Sequence, residues 1–428
     1  MVEYRQFLRS DVFTDEGVHA VKVSKNLLAV LALLMVVGLL LAACGGDTTT
    51  TTAAATGTTA APTETTAAPV EEYTFKIGGA GPFTGDLAKI GNDALQAIQM
   101  AVEDFNASGA MPGVTFTVEV GDDGADPAKA ATIAEKFSSD ESVVGVVGPM
   151  TSGAVQAALP IFNDASLAQI TQSATNVNLS TLGFSVFHRI CPSDGVQGPS
   201  IAKFMIEDLK ATSVFIIDDG EAYSKGLADQ AEEALTSGGV TVKRAQIAGA
   251  DKDFATVLTQ VKEMNPSILF LPLPNPPQAA AIAKQMKSMG FQVQMFGADG
   301  TKDGELITAA GGATEGMYST VLGPMPETLD SAKPFLDKYI AKYQVTSAFT
   351  AQSYEATNVL LEAIKTVGVV DGKIDREAVN AALSASNYSG ILGFPIAFTP
   401  EGDLVGGGIT VLQVKGTEFV PVKMVTLP

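Results

Sequence analysis

Short apolar runs alternate with stretches whose apolar residues recur three and four positions apart, from Tyr73 almost to the end of the chain. "YTFKIGG" (73–79) reads as a strand, and Ala94, Ile98, Ala101, Val102 and Phe105 then fall on one face of a helix. "VTFTVEV" (114–120) alternates as a half-buried strand does. "ADPAKAATIAEKF" opens a helix with Asp126 as N-cap and Pro127 at the first position. "SVVGVVG" (142–148) is apolar on both faces. The alternation continues through strands at 213–218, 239–246, 266–273 and 292–298. Strands alternating with helices predict an α/β fold built on doubly wound parallel sheets. Roughly 350 residues are too many for one such sheet, so two lobes are expected. No short repeat is visible.

Open parallel sheets bind ligands outside the carboxyl ends of their strands. That directs attention to the loops at 79–85, 148–153, 171–175, 218–223 and 298–302. The stretch "VVGVVGPMTSGAVQ" (143–156) reads as strand, tight loop and helix. The first N–H groups of a helix are unpaired and its dipole favours negative charge, so this is the form of an anion site.

Ahead of this body, Lys22 and Lys25 precede the apolar run "LLAVLALLMVVGLLL" (27–41), followed at once by "LAAC". The order basic, apolar, small is that of a secretory signal, and the run is short for a membrane span of roughly 20 residues. Leu41-Ala42-Ala43-Cys44 resembles a bacterial lipobox. Residues 1–43 are therefore expected to be a removed signal and Cys44 to carry lipid. The polar first 20 residues are unusual for a signal, and a true start near Val21 or Val23 would explain them. Residues 44–72 are rich in Thr and Ala, and from Asp47 to Pro69 the chain is nearly all Thr, Ala and Gly with a few Pro, which reads as a flexible tether. The location expected is outside the cytoplasm, held to the membrane through the lipid alone.

The formal charge of the chain is −20, and the charges of residues 1–43 sum to zero, so the body keeps it all. Such a body repels nucleic acid and anionic lipid heads. With Cys44 acylated, Cys191 has no partner for a disulfide and is expected to be a small buried apolar residue.

Enzyme signatures are missing from the sequence. The loop at 148–153 has neither the glycine spacing of a dinucleotide site nor the lysine of a triphosphate site, and no G-x-S-x-G occurs. One histidine beyond Cys44, His188, is too few for a zinc site or a histidine-based triad, and it reads as a strand residue. "GDDGAD" (121–126) lacks the further ligands of a calcium loop and reads as a turn leading to the Asp126 cap. No metal and no cofactor is expected.

Several stretches, taken together and in order, carry a resemblance: "GGAGPFTGDLAKIG" (78–91), "GDDGADPAKA" (121–130), "VVGPMTSG" (146–153), "QITQSATN" (169–176), "HRICPSDGVQG" (188–198), "IIDDGEAYSKG" (216–226), "FGADG" (296–300) and "AQSYEATNVLLEAI" (351–364). The body resembles the bacterial periplasmic binding proteins for leucine, isoleucine and valine. These are solute receptors of ABC transporters with the type I periplasmic binding fold. The resemblance implies two lobes joined by three crossings, lobe one at 73–193 plus 322–398 and lobe two at 194–321 plus 399–428, closing by a hinge over a ligand in the cleft. It also implies a monomer that captures an amino acid, branched-chain or related, and passes it to an ABC permease.

Position by position, Ser152 matches a serine that binds the ligand carboxylate, although a plain helix cap also explains it. Ser173, Ala174 and Thr175 match the segment around carboxylate and amino group. Asp299 stands where the family places an acid against the ammonium, typically the longer Glu. Tyr223 matches a tyrosine of lobe two that packs on the ligand. Asp194 falls at the first crossing, where it could face the cleft. Ile90 stands where an aromatic often shapes the side-chain pocket. "PLPNPPQ" (272–278) puts Asn275 near another expected aromatic. A disulfide common in lobe one would join positions 125 and 151, here Ala125 and Thr151. The grip on an amino-acid backbone is thus expected to be kept while the side-chain pocket is altered. A receptor for an amide, a urea-like solute or a carboxylic acid, or a ligand sensor, is the alternative.

Overall fold

The computed structural model describes residues 71–344 and 346–427, so the signal, Cys44 and nearly all of the tether lie outside the described residues. The first sheet holds β1 (Tyr73–Gly81), β2 (Val114–Asp122), β3 (Val143–Val147), β4 (Gln169–Thr171) and β5 (Phe187–Arg189). Its order is β2-β1-β3-β4-β5, and every neighbouring pair is parallel. Helices α1 (Ala88–Ser108), α2 (Pro127–Ser139), α3 (Ser152–Asp164) and the short α4 (Asn178–Thr181) make the connections. The Asp126 side chain caps α2 through the Ala128 N–H at 2.8 Å, one residue before Pro127. β3 is buried at all its positions, as a central parallel strand covered on both faces must be.

The chain then leaves the first sheet through α5 (Asp194–Glu207). The second sheet takes β6 (Ser213–Asp218), β7 (Thr241–Gln246), β8 (Ile268–Leu271), β9 (Gln294–Gly297) and β10 (Tyr318–Leu322). Between them run α6 (Ala222–Ser237), α7 (Ala255–Met264), α8 (Pro276–Ser288) and α9 (Gly304–Ala310). After β10 the chain returns to the first sheet with α10 (Lys333–Tyr343), α11 (Thr350–Val367), α12 (Arg376–Ser384) and a small hairpin, β11 (Tyr388–Ser389) with β12 (Pro395–Ile396). Leu360, Val359 and Ile364 of α11 share a core with Ile98 of α1 and Val144 of β3. The last passage ends in β13 (Ile409–Lys415) and β14 (Glu418–Val425).

This second sheet, ordered β14-β13-β10-β9-β8-β6-β7, is parallel only as far as β10. β13 runs antiparallel to β10, and β14 antiparallel to β13. The cause is the route. β13 does not follow a crossover helix on its own sheet but arrives from the first one, so it enters from the opposite end. A tight turn with Gly416 at φ 62° then reverses the chain into β14. The passage also comes later than residue 398. Phe398 bridges to Leu404, and Leu404 belongs to the first lobe's core, which leaves Val405–Gly408 as the connecting stretch. Among the described residues no helix is long and apolar enough to cross a membrane.

A candidate solute cleft between the two sheets

The carboxyl ends of the two sheets face a cavity of about 220 Å³. This is below the roughly 300–1,000 Å³ of sites for drug-sized molecules. The loop from β3 to α3 forms one wall. Gly148 takes φ 99°, and a side chain there would run into the carbonyl of Ala80, so glycine is required. Side chains of the β4 segment then satisfy the loop's carbonyls. Gln169 Nε2 donates to Gly148 O, Thr171 Oγ1 to Pro149 O and Ser173 Oγ to Met150 O, each at 2.8 Å.

The outcome is a fixed helix start with no side-chain cap. Thr151, not Ser152, occupies the N-cap position, at φ −89° and ψ 145°, and makes no capping bond. Ser152 is the first helical residue. Its hydroxyl accepts from the Asn176 N–H at 3.3 Å, which leaves its own proton to donate. Thr151, Ser152 and Gly153 line the cavity, and the dipole of a 13-residue helix points its positive end at them.

The opposite wall comes from the second sheet. Asp299 follows β9 and lies 3% exposed, with its Oδ1 accepting from Tyr223 Oη at 2.7 Å. Burial pushes its carboxyl up to about 6 and raises the tyrosine well above its ordinary value. Behind them Asp194, fully buried at the start of α5, is pushed up to about 8, by burial and then by the charge of Asp299. Among the described residues, Asp299 and Glu221 are the acids on the cavity wall, and no basic side chain lines it. The remaining wall is apolar. Ile90, Met150 and Phe349 share a cluster with Ile201 and Phe204 of α5, so the cleft floor is continuous between the lobes.

The structure therefore brings Ser152, Ser173, Tyr223, Asp299 and Ile90 to one cavity and leaves three expected residues off its wall. Ala174 turns its methyl into the first lobe's core and gives its carbonyl to Arg189. Thr175 is fully buried, with its carbonyl taken by the Asp194 N–H at 2.7 Å. Asn275 caps α8 through the Gln278 N–H and reaches Asp86 across the cleft mouth at 3.4 Å. Its neighbour Pro274 lines the cavity instead. Phe349, Met150, Leu87 and Glu221 were not foreseen. Phe349 lies two residues before the "AQSYEATN" stretch, but nothing local to it signals a place on the wall.

Other expected chemistry resolves into structure. His188 is buried in β5 with its Nε2 2.9 Å from Ser384 Oγ, and burial lowers it to about 4. Cys191 is a buried free thiol pushed up to about 12, mainly by burial. Asp122 accepts from the Phe83 N–H at 2.9 Å and so shapes a cleft loop. Among the described residues no group of three or more His, Cys, Asp or Glu is placed to hold a metal.

Comparison with known proteins agrees with this geometry. The profile of the periplasmic binding protein family matches residues 74–418. A leucine-, isoleucine-, valine-, threonine- and alanine-binding protein of Pseudomonas aeruginosa is 29% identical over 79% of this chain and 90% of its own length. The Leu/Ile/Val-binding protein of Escherichia coli is 28% identical over 77% and 88%. Among solved structures, a leucine binding protein from Thermotoga maritima superposes with a TM-score of 0.76 at 27% identity, covering 82% of this chain and 99% of that one. The isoleucine complex of a branched-chain amino acid transporter substrate binding protein from Streptococcus pneumoniae gives 0.75 at 26%, covering 83% and 100%. With its sheets, its cleft and a match over nearly all the described residues, the chain belongs to the periplasmic binding protein family, as an extracytoplasmic solute-binding protein and not an enzyme.

Proposed function

We propose that this protein is a lipid-anchored receptor that captures an α-amino acid, branched-chain or related, and delivers it to an ABC permease. One observation carries the reading. An uncapped helix N-terminus and a buried carboxylate–tyrosine pair face the same small apolar cavity, with no basic side chain among the described residues on its wall. The first group suits a carboxylate and the second an ammonium, so a zwitterion is matched at both ends. Charge-assisted hydrogen bonds of this kind contribute about 1.5–3 kcal/mol each. Ser152 and the α3 N–H groups take the carboxylate. Asp299, steadied by Tyr223, takes the ammonium, and Ile90, Met150 and Phe349 enclose the side chain. Ser173 holds the loop rather than the solute. Ala174 and Thr175 act through the backbone, and Asn275 ties the mouth of the cleft. A plain carboxylic acid fits less well, because it brings nothing to neutralise Asp299.

Closure is selection of the closed arrangement by a solute touching both lobes. Cys44 supplies the anchor and residues 44–72 the tether, and the body acts as a monomer. The test is titration calorimetry against each proteinogenic amino acid, with thermal unfolding alongside. A true ligand at a hundred times its Kd stabilises by about 2.7 kcal/mol. A panel with neither heat nor thermal shift rejects the amino-acid reading.

A further inference from the structure

Asn176 does not itself line the cavity, yet it is hydrogen-bonded to two residues that do, one from each lobe. Asn176 lies in the loop after Ser173 and is 6% exposed. Its backbone N–H donates to Ser152 Oγ at 3.3 Å, on the helix start that faces the solute. Its side-chain Nδ2 crosses the cleft and donates to the Ala222 carbonyl at 2.5 Å, in the first turn of α6, one residue before Tyr223. Its Oδ1 accepts from the Asn178 N–H at 2.8 Å, which fixes the amide orientation. Its carbonyl accepts from Arg189 Nη1 at 2.8 Å, and that fully buried guanidinium pairs at 2.6 Å with Asp403, in the first-lobe turn just before the last passage between the lobes.

The second lobe is shaped to receive this amide. Gly226, one turn along α6 from Ala222, lies directly against Asn176 Nδ2, and a methyl group there would collide with it. The glycine is helical and needs no special φ, so close approach is the reason a side chain is excluded.

We propose that Asn176 is a positioning residue that couples the solute-binding helix start of the first lobe to closure of the second lobe through its Nδ2–Ala222 hydrogen bond. The closed arrangement satisfies this amide with a carbonyl of the opposite lobe, and separation of the lobes breaks that bond. Because the same residue's N–H holds the Ser152 hydroxyl, the orientation of that hydroxyl and the closed state support one another. The inference rests on the closing-receptor reading but not on which solute is bound.

The test is pulsed electron paramagnetic resonance between nitroxide labels on exposed Glu135 of α2 and Lys284 of α8, with and without an equimolar mixture of the twenty amino acids. Two variants probe the contact from its two sides. Asn176→Asp keeps the oxygen that accepts from Asn178 and removes the cross-cleft donor. Gly226→Ala leaves Asn176 intact and obstructs the approach. One neutral hydrogen bond corresponds to about a threefold to tenfold change in an equilibrium, so both variants should lower the closed-to-open ratio by about that factor. A merely structural amide would lower the melting temperature and leave the ratio alone. Distance distributions matching wild type in both variants, with and without the mixture, overturn the proposal. If the mixture leaves wild type itself unchanged, the amino-acid reading fails, and the ligand-free distributions decide the role of Asn176.

Discussion

Tyr223 Oη donates to Asp299 Oδ1 at 2.7 Å, joining the first turn of α6 to the end of β9 on the cavity wall. The two residues stand 76 positions apart in sequence. Asp299 supplies charge to the cleft, and Tyr223 fixes which way that carboxylate points. Removing the charge differs from removing its support. Asp299→Ala should lower amino-acid affinity by about 30-fold to 1,000-fold, the usual result of leaving a buried charge unpaired. Tyr223→Phe should cost about threefold to tenfold, the value of one hydrogen bond. Calorimetry on the two variants checks the order. Equal losses would mean that Asp299 does not meet the ammonium.

Binding should depend on pH through the same carboxylate. Burial pushes Asp299 up to about 6, and an ammonium beside it requires the ionised form. The bound state therefore disfavours the proton. Affinity should be flat from pH 8 to 7 and fall as the pH drops through about 6. Binding should release about half a proton near pH 6 and close to one near pH 5, read as a buffer-dependent enthalpy. Affinity unchanged down to pH 5 would remove Asp299 from the charge-pairing role.

Stability should show the opposite trend. Asp194 titrates near 8 in the folded protein and near about 4 when unfolded. The native state thus holds this proton more tightly, and stability is lost as pH rises through the window toward 8. Linkage sets the slope at no more than about 1.4 kcal/mol per pH unit for one proton. Between pH 8 and 6.5 the effect is not opposed by His188, whose lowered value of about 4 removes stability only as the pH falls below about 6.5. Thermal unfolding without ligand should show a midpoint rising from pH 8 to 6.5, and Asp194→Asn should flatten that rise.

How much of this was readable beforehand depended on whether one segment carried its own signal. β1, β2 and β6 announce themselves because each is a run of β-rich residues bounded by turns. β4 and β5, three residues each, are too short for any period to show. The direction of β13 cannot be read locally at all, since it follows from the route the chain takes between sheets. In the site, Ser152 was legible because strand, loop and helix are contiguous there. The side chains of Ala174 and Thr175 do not line the cavity, because neighbours of a wall residue in a loop point elsewhere, which leaves only their backbone near the site. Asn275 stands before Pro276 and Pro277, an N-cap followed by proline, and that local capping signature outweighs the position of Asn275 near the cleft. Phe349 enters from a segment remote in sequence, so only the assembled fold brings it to the cavity.

Phe349 gives the sharpest test of the side-chain end. It lies 7% exposed on the cavity wall, between the first lobe's α11 and the apolar floor shared with Met150 and Ile90. Truncating it enlarges the apolar end without touching Ser152 or Asp299. Phe349→Ala should destabilise the protein by up to about 3–5 kcal/mol, the range for aromatic truncation in a core, with the open cavity favouring the lower part. The added space should favour a larger side chain. One methylene in an apolar pocket contributes about 1–3 kcal/mol, or roughly tenfold to 200-fold in selectivity. Paired titrations with leucine and phenylalanine should therefore show the affinity ratio moving at least about tenfold toward phenylalanine. A ratio that stays fixed while both affinities fall would mean that Phe349 supports the wall from behind and never meets the solute.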